Sequence, residues 1–104
     1  MKLLITGVSG FVGEELVDFL QNNPRYSILG IDKNQELASS KIIFKKCDLI
    51  SNKDKLNEIF REFKPDIVVH CASKILDTLD KDLVWKTNYY ATKDLIEISS
   101  KYNA

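Results

Sequence analysis

Three glycines at three-residue spacing, Gly7, Gly10 and Gly13, could bind an anion. They follow an apolar run of strand character, and an amphipathic helical pattern begins before the last of them. The N–H groups of a helix's first turn lack partners within the helix and lie at the positive end of its dipole. Gly7 permits a tight turn, Gly10 lets a pyrophosphate approach without a Cβ in the way, and Gly13 lets the helix lie close on the sheet. The spacing predicts a phosphate site, although a tight turn that binds nothing would look similar.

A carboxylate, Asp32, ends the next strand-like segment, nineteen residues after Gly13. In dinucleotide-binding folds an acid at this separation lies beside the adenosine ribose. It can accept hydrogen bonds from the 2′- and 3′-hydroxyls and would repel a 2′-phosphate, so NAD is favoured over NADP. Lys33 could partly offset that repulsion. Asp32 could also be an ordinary turn acid at the end of a strand.

The segment 6–13, Thr-Gly-Val-Ser-Gly-Phe-Val-Gly, resembles the TGxxGxxG fingerprint of the extended short-chain dehydrogenase/reductase family. That family includes nucleotide-sugar epimerases and dehydratases. The resemblance implies an NAD-binding protein whose cofactor contacts within this segment are Gly7, Gly10, Phe11, Val12 and Gly13.

Asp48-Leu49 resembles the family's pair of an aspartate and an aliphatic residue, in which the acid bonds the adenine amino group. Asp48 could equally be a cap or turn residue.

The segment 70–73 resembles the family's HxAA segment, whose backbone lines the cofactor, so Cys71, Ala72 and Ser73 are further expected contacts. Ser73 replaces the usual alanine and could alter a contact near the nicotinamide ribose. We interpret His70 as structural, because a lone histidine ending a buried strand is more often structural than catalytic.

The segment 87–92 resembles the family's N-x-x-G-T segment, with Ala91 where glycine is usual. Asn88 matches the asparagine of the family's Asn-Ser-Tyr-Lys catalytic set, although it could simply be a polar residue on a long helix. The serine and the Tyr-x-x-x-Lys pair come later in full-length members of the family. Tyr89 and Lys93 show the bare spacing, but Tyr89 directly follows Asn88 on the same helix, so we assign it no chemistry.

Strands and helices alternate along the chain, which predicts an α/β fold with parallel strands and right-handed crossovers. Strands are expected over 2–6, 27–32, 42–47 and 66–70. Helices are expected over 10–22 and 82–102, and a third runs from a capping box at 51–54 to the residue before Pro65. Loops are expected over 33–41 and over 74–80, where substrate contacts could lie. The resemblance implies part of a Rossmann-type doubly wound sheet, four strands in the order 3-2-1-4 with helices on both faces.

The apolar residues of each helix recur at helical spacing and predict its buried face. The expected faces are Val12, Leu16, Phe19 and Leu20 in the first helix and Leu56, Ile59, Phe60 and Phe63 in the second. The last helix has two apolar stripes: Val84, Ala91, Leu95 and Ile98 can cover the sheet, whereas Trp85, Tyr89, Thr92 and Ile96 need another surface. We therefore expect self-association through the second stripe or through the fourth strand at 67–69.

The composition is that of one small globular domain: 104 residues, 44% hydrophobic and 29% charged, with a formal net charge of zero. Lysines are interspersed with acids, so no nucleic-acid partner is expected.

The first apolar run is broken at Gly7 and is too short for a signal peptide or a membrane span, which favours a cytoplasmic location. Cys47 and Cys71 end strands about 14 Å apart in this sheet order, too far for a disulfide, and no CxxC spacing suggests a metal.

The resemblance covers essentially all of the chain but only the first third or so of a family member. The leading interpretation is the N-terminal, NAD-binding part of a nucleotide-sugar epimerase or dehydratase, inactive by itself because the serine and the Tyr-x-x-x-Lys segment are absent. Its full-length form would take a nucleotide-sugar as substrate. The alternatives are a non-catalytic dinucleotide-sensing module and an interaction module that binds no ligand.

Overall fold

The computed structural model describes residues 1–34, 41–73 and 81–104. The loop expected over 74–80, with its possible substrate contacts, lies outside the described residues, as does most of the loop expected over 33–41. The elements are β1 (Lys2–Thr6), α1 (Phe11–Leu20), β2 (Ser27–Asp32), β3 (Ile43–Lys46), α2 (Lys53–Phe63), β4 (Ile67–His70), α3 (Lys81–Trp85), a π-helical turn (Lys86–Tyr90) and α4 (Ala91–Lys101). The predicted alternation of strands and helices is confirmed.

The four strands form one parallel sheet in the order β3-β2-β1-β4, as predicted. Thr6 at the end of β1 pairs with Ile31 on one side and with His70 on the other. The carboxyl ends of β1, β2 and β4 therefore meet at one edge of the sheet. This register brings the glycine turn, Asp32 and the segment after His70 together.

Helices cover both faces of the sheet, as predicted. Leu4, Leu29 and Ile31 pack with residues of α2 and α4 in one buried cluster. Leu3, Ile5 and Ile28 pack with Val17 of α1 in the other. Successive side chains of a strand point to opposite faces, so the unbroken apolar run of β1 supplies both clusters.

The buried face of α1 differs from the prediction. Gly13 and Val17 are buried, and Leu16 and Leu20 are partly buried, but Val12 is 63% exposed and Phe19 is 81% exposed. A Cβ on Gly13 would overlap the Gly7 carbonyl, so α1 makes its closest approach at Gly13, to the turn after β1 rather than to the sheet. The buried face is consequently centred on residues 13 and 17, and Val12 and Phe19 face away from the core.

The capping box predicted at the start of α2 is wrong. The N-cap is Asn52, and its side chain makes no capping bond. Asn52 Oδ1 instead accepts a hydrogen bond from the Asp48 amide at 3.1 Å. The buried face is confirmed, since Leu56, Ile59 and Phe60 are buried. The helix ends at Lys64, which has a φ of 54° directly before Pro65.

The last helical segment was predicted as one uninterrupted helix, but a π-helical turn lies between α3 and α4. The stripe expected to cover the sheet is buried, including Ala91, Leu95 and Ile98. In the other stripe Trp85 and Ile96 are exposed, whereas Thr92 is half-buried. Trp85 and Tyr89 stack with ring centroids 4.9 Å apart. Hydrophobic periodicity gave the buried face correctly, placed Thr92 on the wrong face and did not reveal the wider turn between α3 and α4.

None of the described helices is long and apolar enough to cross a membrane. The cytoplasmic location expected from the sequence stays a prediction.

Cys47 follows β3 and Cys71 follows β4, so the two free thiols lie at opposite edges of the sheet. Within the described ranges no three His, Cys, Asp or Glu side chains are grouped so that they could hold a metal ion.

Candidate functional site

A cavity of about 390 Å³ opens at the carboxyl ends of the strands. It lies at the switch point between β1 and β4, where doubly wound folds bind ligands, and its volume is in the range of small-molecule sites. Eleven of the predicted cofactor residues line it: Gly7, Gly10, Phe11, Val12, Asp32, Lys33, Asp48, Leu49, Cys71, Ala72 and Ser73. The structure therefore brings together residues that are far apart in sequence.

The glycine turn forms one wall of this cavity. Gly7 has a φ of 69° and donates its N–H to the Ile31 carbonyl at 2.9 Å. A Cβ on Gly7 would lie 2.6 Å from the Ala72 amide nitrogen, so this turn and the segment after β4 are in direct contact. Gly7 is required by backbone conformation and by packing at once.

The N-terminus of α1 borders the cavity at Gly10, Phe11 and Val12. Gly10 is the N-cap, and no side chain caps the helix. A Cβ on Gly10 would meet only the Gly7 carbonyl oxygen, at 3.3 Å, so the chain itself demands glycine less strictly here than at Gly7. Gly13 does not line the cavity, and its role is the contact between α1 and the turn. Open amides at the positive end of a helix dipole suit an anion.

Asp32 has the turn role considered from the sequence and also lines the cavity, and its contact with a ribose stays a prediction. Its carboxylate accepts a hydrogen bond from the Ser9 amide at 3.0 Å and another from the Asn34 amide at 2.9 Å. The second bond is the turn interaction of an acid at a strand end, and the first fixes the glycine turn. A carboxylate oxygen accepts more than one hydrogen bond, so Asp32 retains capacity for a ligand hydroxyl in the cavity that it lines.

Asp48 is also a turn residue. Its Oδ1 accepts a hydrogen bond from the Ile50 amide at 2.8 Å. Leu49 is buried beside it, and both residues line the cavity. The position is compatible with a base held between Leu49 and the carboxylate, and the contact to adenine stays a prediction.

The wall formed by Cys71, Ala72 and Ser73 is held by one hydroxyl. Thr6 Oγ1 accepts hydrogen bonds from the Cys71 and Ala72 amides, each at 3.1 Å. His70 bridges Thr6 and Thr92: its Nδ1 lies 2.6 Å from Thr6 Oγ1, and its Nε2 lies 2.9 Å from Thr92 Oγ1. Burial lowers the pKa of the His70 imidazole below its ordinary value. The structural interpretation of His70 agrees with these contacts.

Both thiols of the cavity wall are protonated near neutral pH, since burial raises the pKa of Cys47 and of Cys71 above the ordinary value of 9.0. For Cys47, Lys55 opposes this shift and Asp48 adds to it. Neither cysteine has the thiolate character that nucleophilic chemistry requires.

Asn88 does not reach the first cavity. It lines a second one of about 380 Å³, together with Val12, His70, Thr92 and the segment Cys71 to Ser73. That segment borders both cavities, so the position of Asn88 is adjacent to the first site. Neither cavity is lined by Tyr89, which is 46% exposed.

Thr87 is the residue that sequence reasoning missed. It lines the first cavity, and its buried hydroxyl has no hydrogen-bond partner in the described part of the chain. Ala91 lies next to it on the same wall. The π-helical turn places Thr87 there, and no periodic signal indicated that turn. Buried polar groups are normally paired, so this hydroxyl is suited to a ligand.

The sheet order and the glycine turn at its switch point define a Rossmann-type protein. Residues 3–104 match the NAD dependent epimerase/dehydratase family. The chain therefore belongs to the NAD-dependent epimerase/dehydratase family.

Individual relatives agree with this assignment. The dTDP-glucose 4,6-dehydratase of Haemophilus influenzae is 27% identical, over 98% of this chain and 34% of the relative. The structure of a Thermotoga maritima UDP-glucose 4-epimerase with UDP-glucose superposes with a TM-score of 0.85 at 27% identity, covering 100% of this chain and 35% of that one. A Thermus thermophilus UDP-glucose 4-epimerase complex with NAD gives 0.82 at 28% identity, covering 98% and 34%. The chain thus spans about a third of the length of these relatives.

Proposed function

We propose that this chain is the NAD-binding part of a nucleotide-sugar epimerase or dehydratase. The observation that carries the proposal is the uncapped N-terminus of α1, which borders a cavity also lined by Asp32 and by the unpartnered hydroxyl of Thr87. The family membership and the NAD complex of the Thermus thermophilus epimerase support the choice of cofactor. Bound NAD would supply a hydride acceptor.

Each wall of the cavity has chemistry suited to one part of the dinucleotide. Backbone amides at Phe11 and Val12 would bind the pyrophosphate, which needs donors and close approach, since the Gly10 amide already donates to the Gly7 carbonyl at 3.0 Å. Asp32 would accept hydrogen bonds from the adenosine ribose, with Lys33 beside it, and Asp48 and Leu49 would hold the adenine. Cys71 to Ser73 and Thr87 would contact the rest of the cofactor.

The preference for NAD over NADP rests on Asp32. Its carboxylate lines the cavity and has no ion-pair partner among the described residues. A 2′-phosphate beside it would meet a like charge that Lys33 offsets only in part, whereas two ribose hydroxyls would each gain an acceptor. Calorimetry with both dinucleotides tests this directly. NADP binding as tight as NAD binding would contradict the role proposed for Asp32.

We propose that the chain by itself has no oxidoreductase activity. Tyr89 and Lys93 have the Tyr-x-x-x-Lys spacing, but they line neither cavity. Of the family's Asn-Ser-Tyr-Lys catalytic set, Asn88 is the position that this chain matches. Hydride transfer above a blank, with NAD and either UDP-glucose or dTDP-glucose, would refute this. The nucleotide-sugar class itself is proposed from the names of the relatives, which include dTDP-glucose 4,6-dehydratase.

A non-catalytic dinucleotide sensor is the alternative, and it uses the same cavity. The gene sequence beyond the codon for Ala104 separates the two. A continuing reading frame that contains the serine and the Tyr-x-x-x-Lys pair supports the enzyme, and a stop codon supports the sensor. If neither dinucleotide binds, both proposals fail and an interaction module without ligand is favoured.

We propose self-association through the exposed residues of the second stripe of the last helix or through the edge strand β4. Trp85, Tyr89 and Ile96 are 57%, 46% and 63% exposed, which is unusual for side chains of this size on a monomer's surface. Ile67 on β4 is also exposed, at 42%. Sedimentation equilibrium should show association that Trp85→Ser weakens. A stable monomer at high concentration would contradict the proposal.

A further inference from the structure

The hydroxyl of Thr6 has no unused hydrogen-bonding capacity. It accepts from two backbone amides, those of Cys71 and Ala72, and a hydroxyl oxygen has two lone pairs. Its single hydrogen therefore points to its third neighbour, His70 Nδ1, 2.6 Å away. Nδ1 must then be the acceptor, so it carries no hydrogen.

The opposite nitrogen of the ring follows from this assignment. A neutral imidazole with an unprotonated Nδ1 carries its hydrogen on Nε2, which lies 2.9 Å from Thr92 Oγ1. His70 thus accepts from β1 and donates to α4. Thr6 and His70 are 64 residues apart in sequence, and His70 and Thr92 are 22 apart.

The elements linked by His70 are those that carry the site. Thr6 holds the Cys71–Ala72 wall, and that wall contacts the Gly7 turn closely. Thr92 lies one helical turn after Asn88, and both line the second cavity with His70. We propose that His70, as a neutral Nε2–H tautomer, is a positioning residue that aligns the wall of the nucleotide site with the helix that carries Asn88. Its role in nucleotide binding rests on the proposed function.

Protonation of the ring would break this arrangement. An imidazolium donates from both nitrogens, so Nδ1 would face a hydroxyl whose lone pairs already accept from two amides, and one amide would be displaced from the hydroxyl. The Cys71 amide would keep its bond to the Thr6 carbonyl, but the Ala72 amide has no such second acceptor. The described surroundings offer no compensating charge. Cys71 is the only other titratable residue lining the second cavity, while on α4 Lys93 is exposed and Asp94 pairs with Lys53 at 3.1 Å. Burial lowers the pKa of His70, in agreement with the geometry.

The tautomer can be observed directly because the chain contains one histidine. In the ¹⁵N-labelled chain, long-range ¹H–¹⁵N correlations at pH 7.5 should show Nε2 protonated and Nδ1 unprotonated. An Nδ1–H tautomer, an imidazolium or an averaged mixture would overturn the proposal. This measurement requires no nucleotide, so it stands even if NAD fails to bind and the proposed function falls.

The variants Thr6→Val and Thr6→Ser test the role of the hydroxyl. Valine keeps the shape and removes the donor to Nδ1, so the tautomers should mix and the Ala72 amide should exchange with solvent about tenfold faster, whereas the Cys71 amide keeps its bond to the Thr6 carbonyl at 3.2 Å. Serine should restore both the tautomer and the slow exchange. In the NAD titration, affinity for Thr6→Val should be about tenfold below that for Thr6→Ser. A tautomer, exchange rate or affinity common to the two variants would contradict the proposal.

A second variant pair applies if Thr6→Val fails to fold. Thr92→Val removes the acceptor for Nε2–H, and exchange of that hydrogen with solvent should rise about tenfold. Ser99→Ala is the matched control, because Ser99 Oγ donates within α4 to the Leu95 carbonyl at 2.7 Å. Unchanged Nε2–H exchange in Thr92→Val, or an equal rise in Ser99→Ala, would overturn the bridge between His70 and α4.

Discussion

The two sides of the cavity are built differently. On the Asp32 side, Asp48 is fixed by a bond from the Ile50 amide, two residues away, and the glycine turn is fixed to Asp32 by the Ser9 amide, 23 residues away, within the single β1-α1-β2 unit. On the His70 side, the wall at 71–73 is fixed by a Thr6 hydroxyl 65 and 66 residues away. The anion-binding side is thus encoded within one strand-helix-strand unit and its turns, whereas the His70 side exists only once β1, β4 and α4 are assembled.

The largest expected effect is that of a substitution at Gly13, which contacts the glycine turn. Gly13→Ala would put a Cβ onto the Gly7 carbonyl, so α1 must move away from the turn. We expect a loss of about 3 kcal/mol or more in the free energy of unfolding, measured by urea denaturation. A loss below about 1 kcal/mol would show that the contact at Gly13 is not close.

Gly10→Ala separates ligand approach from packing on the same turn. Its Cβ would meet only one oxygen, at 3.3 Å, so stability should change by less than about 1 kcal/mol. NAD affinity should fall by about thirtyfold, or about 2 kcal/mol, because the Cβ occupies the approach to the α1 amides. Calorimetry that found unchanged affinity would remove the anion role of the turn.

Asp32→Asn removes a charge from the locally encoded side with little change of shape. The side-chain oxygen can still accept one of the two amide bonds that Asp32 accepts, from Ser9 and Asn34. The ratio of NADP to NAD affinity should rise about tenfold, since the repulsion of a 2′-phosphate is relieved. Lys33→Gln is the companion variant and should shift the ratio in the opposite direction. A ratio unchanged in both variants would place the ribose elsewhere.

Thr87→Val tests the assembled side. The hydroxyl is buried without a partner in the described part of the chain, so its removal should leave the free chain as stable or stabilise it by up to about 1 kcal/mol. NAD affinity should nevertheless fall about fivefold, the effect of one hydrogen bond. Thermal denaturation with and without NAD measures both changes. A fall in the stability of the free chain would mean that the hydroxyl has a protein partner.

The smallest expected effect is on the pH dependence of stability. Burial lowers the pKa of folded His70 below 6.5, so the unfolded chain binds the proton first as the pH falls. The stability contribution is complete above pH 6.5, declines below it and levels off below the folded-state pKa. Denaturation midpoints at a series of pH values should show this decline, and His70→Gln should lack its contribution. Equal pH profiles for the two chains would contradict the assignment.

Much of the fold and of the Asp32 side was predictable from sequence. The alternation of strands and helices and the buried stripe of the last helix follow from periodicity, and Gly7, Gly10 and Asp32 follow from glycine spacing and the position of an acid at a strand end. The strand order and the other cavity residues came from the family resemblance. The α2 capping box was wrong for a local reason: the helix begins at Lys53, so Asn52 and not Ser51 is the N-cap, and Asn52 Oδ1 accepts from the Asp48 amide instead of capping the helix.

The sequence by itself determined where strands end and where glycine is needed, since these depend on neighbouring residues. Only the tertiary structure decided which face of α1 is buried, because the close contact of Gly13 with Gly7 sets that rotation. It also decided that a π-helical turn places the Thr87 hydroxyl in the cavity and that Thr6, His70 and Thr92 form one bridge. Those arrangements join residues from separate elements, and their hydrogen bonds exist only when β1, β4 and α4 pack together.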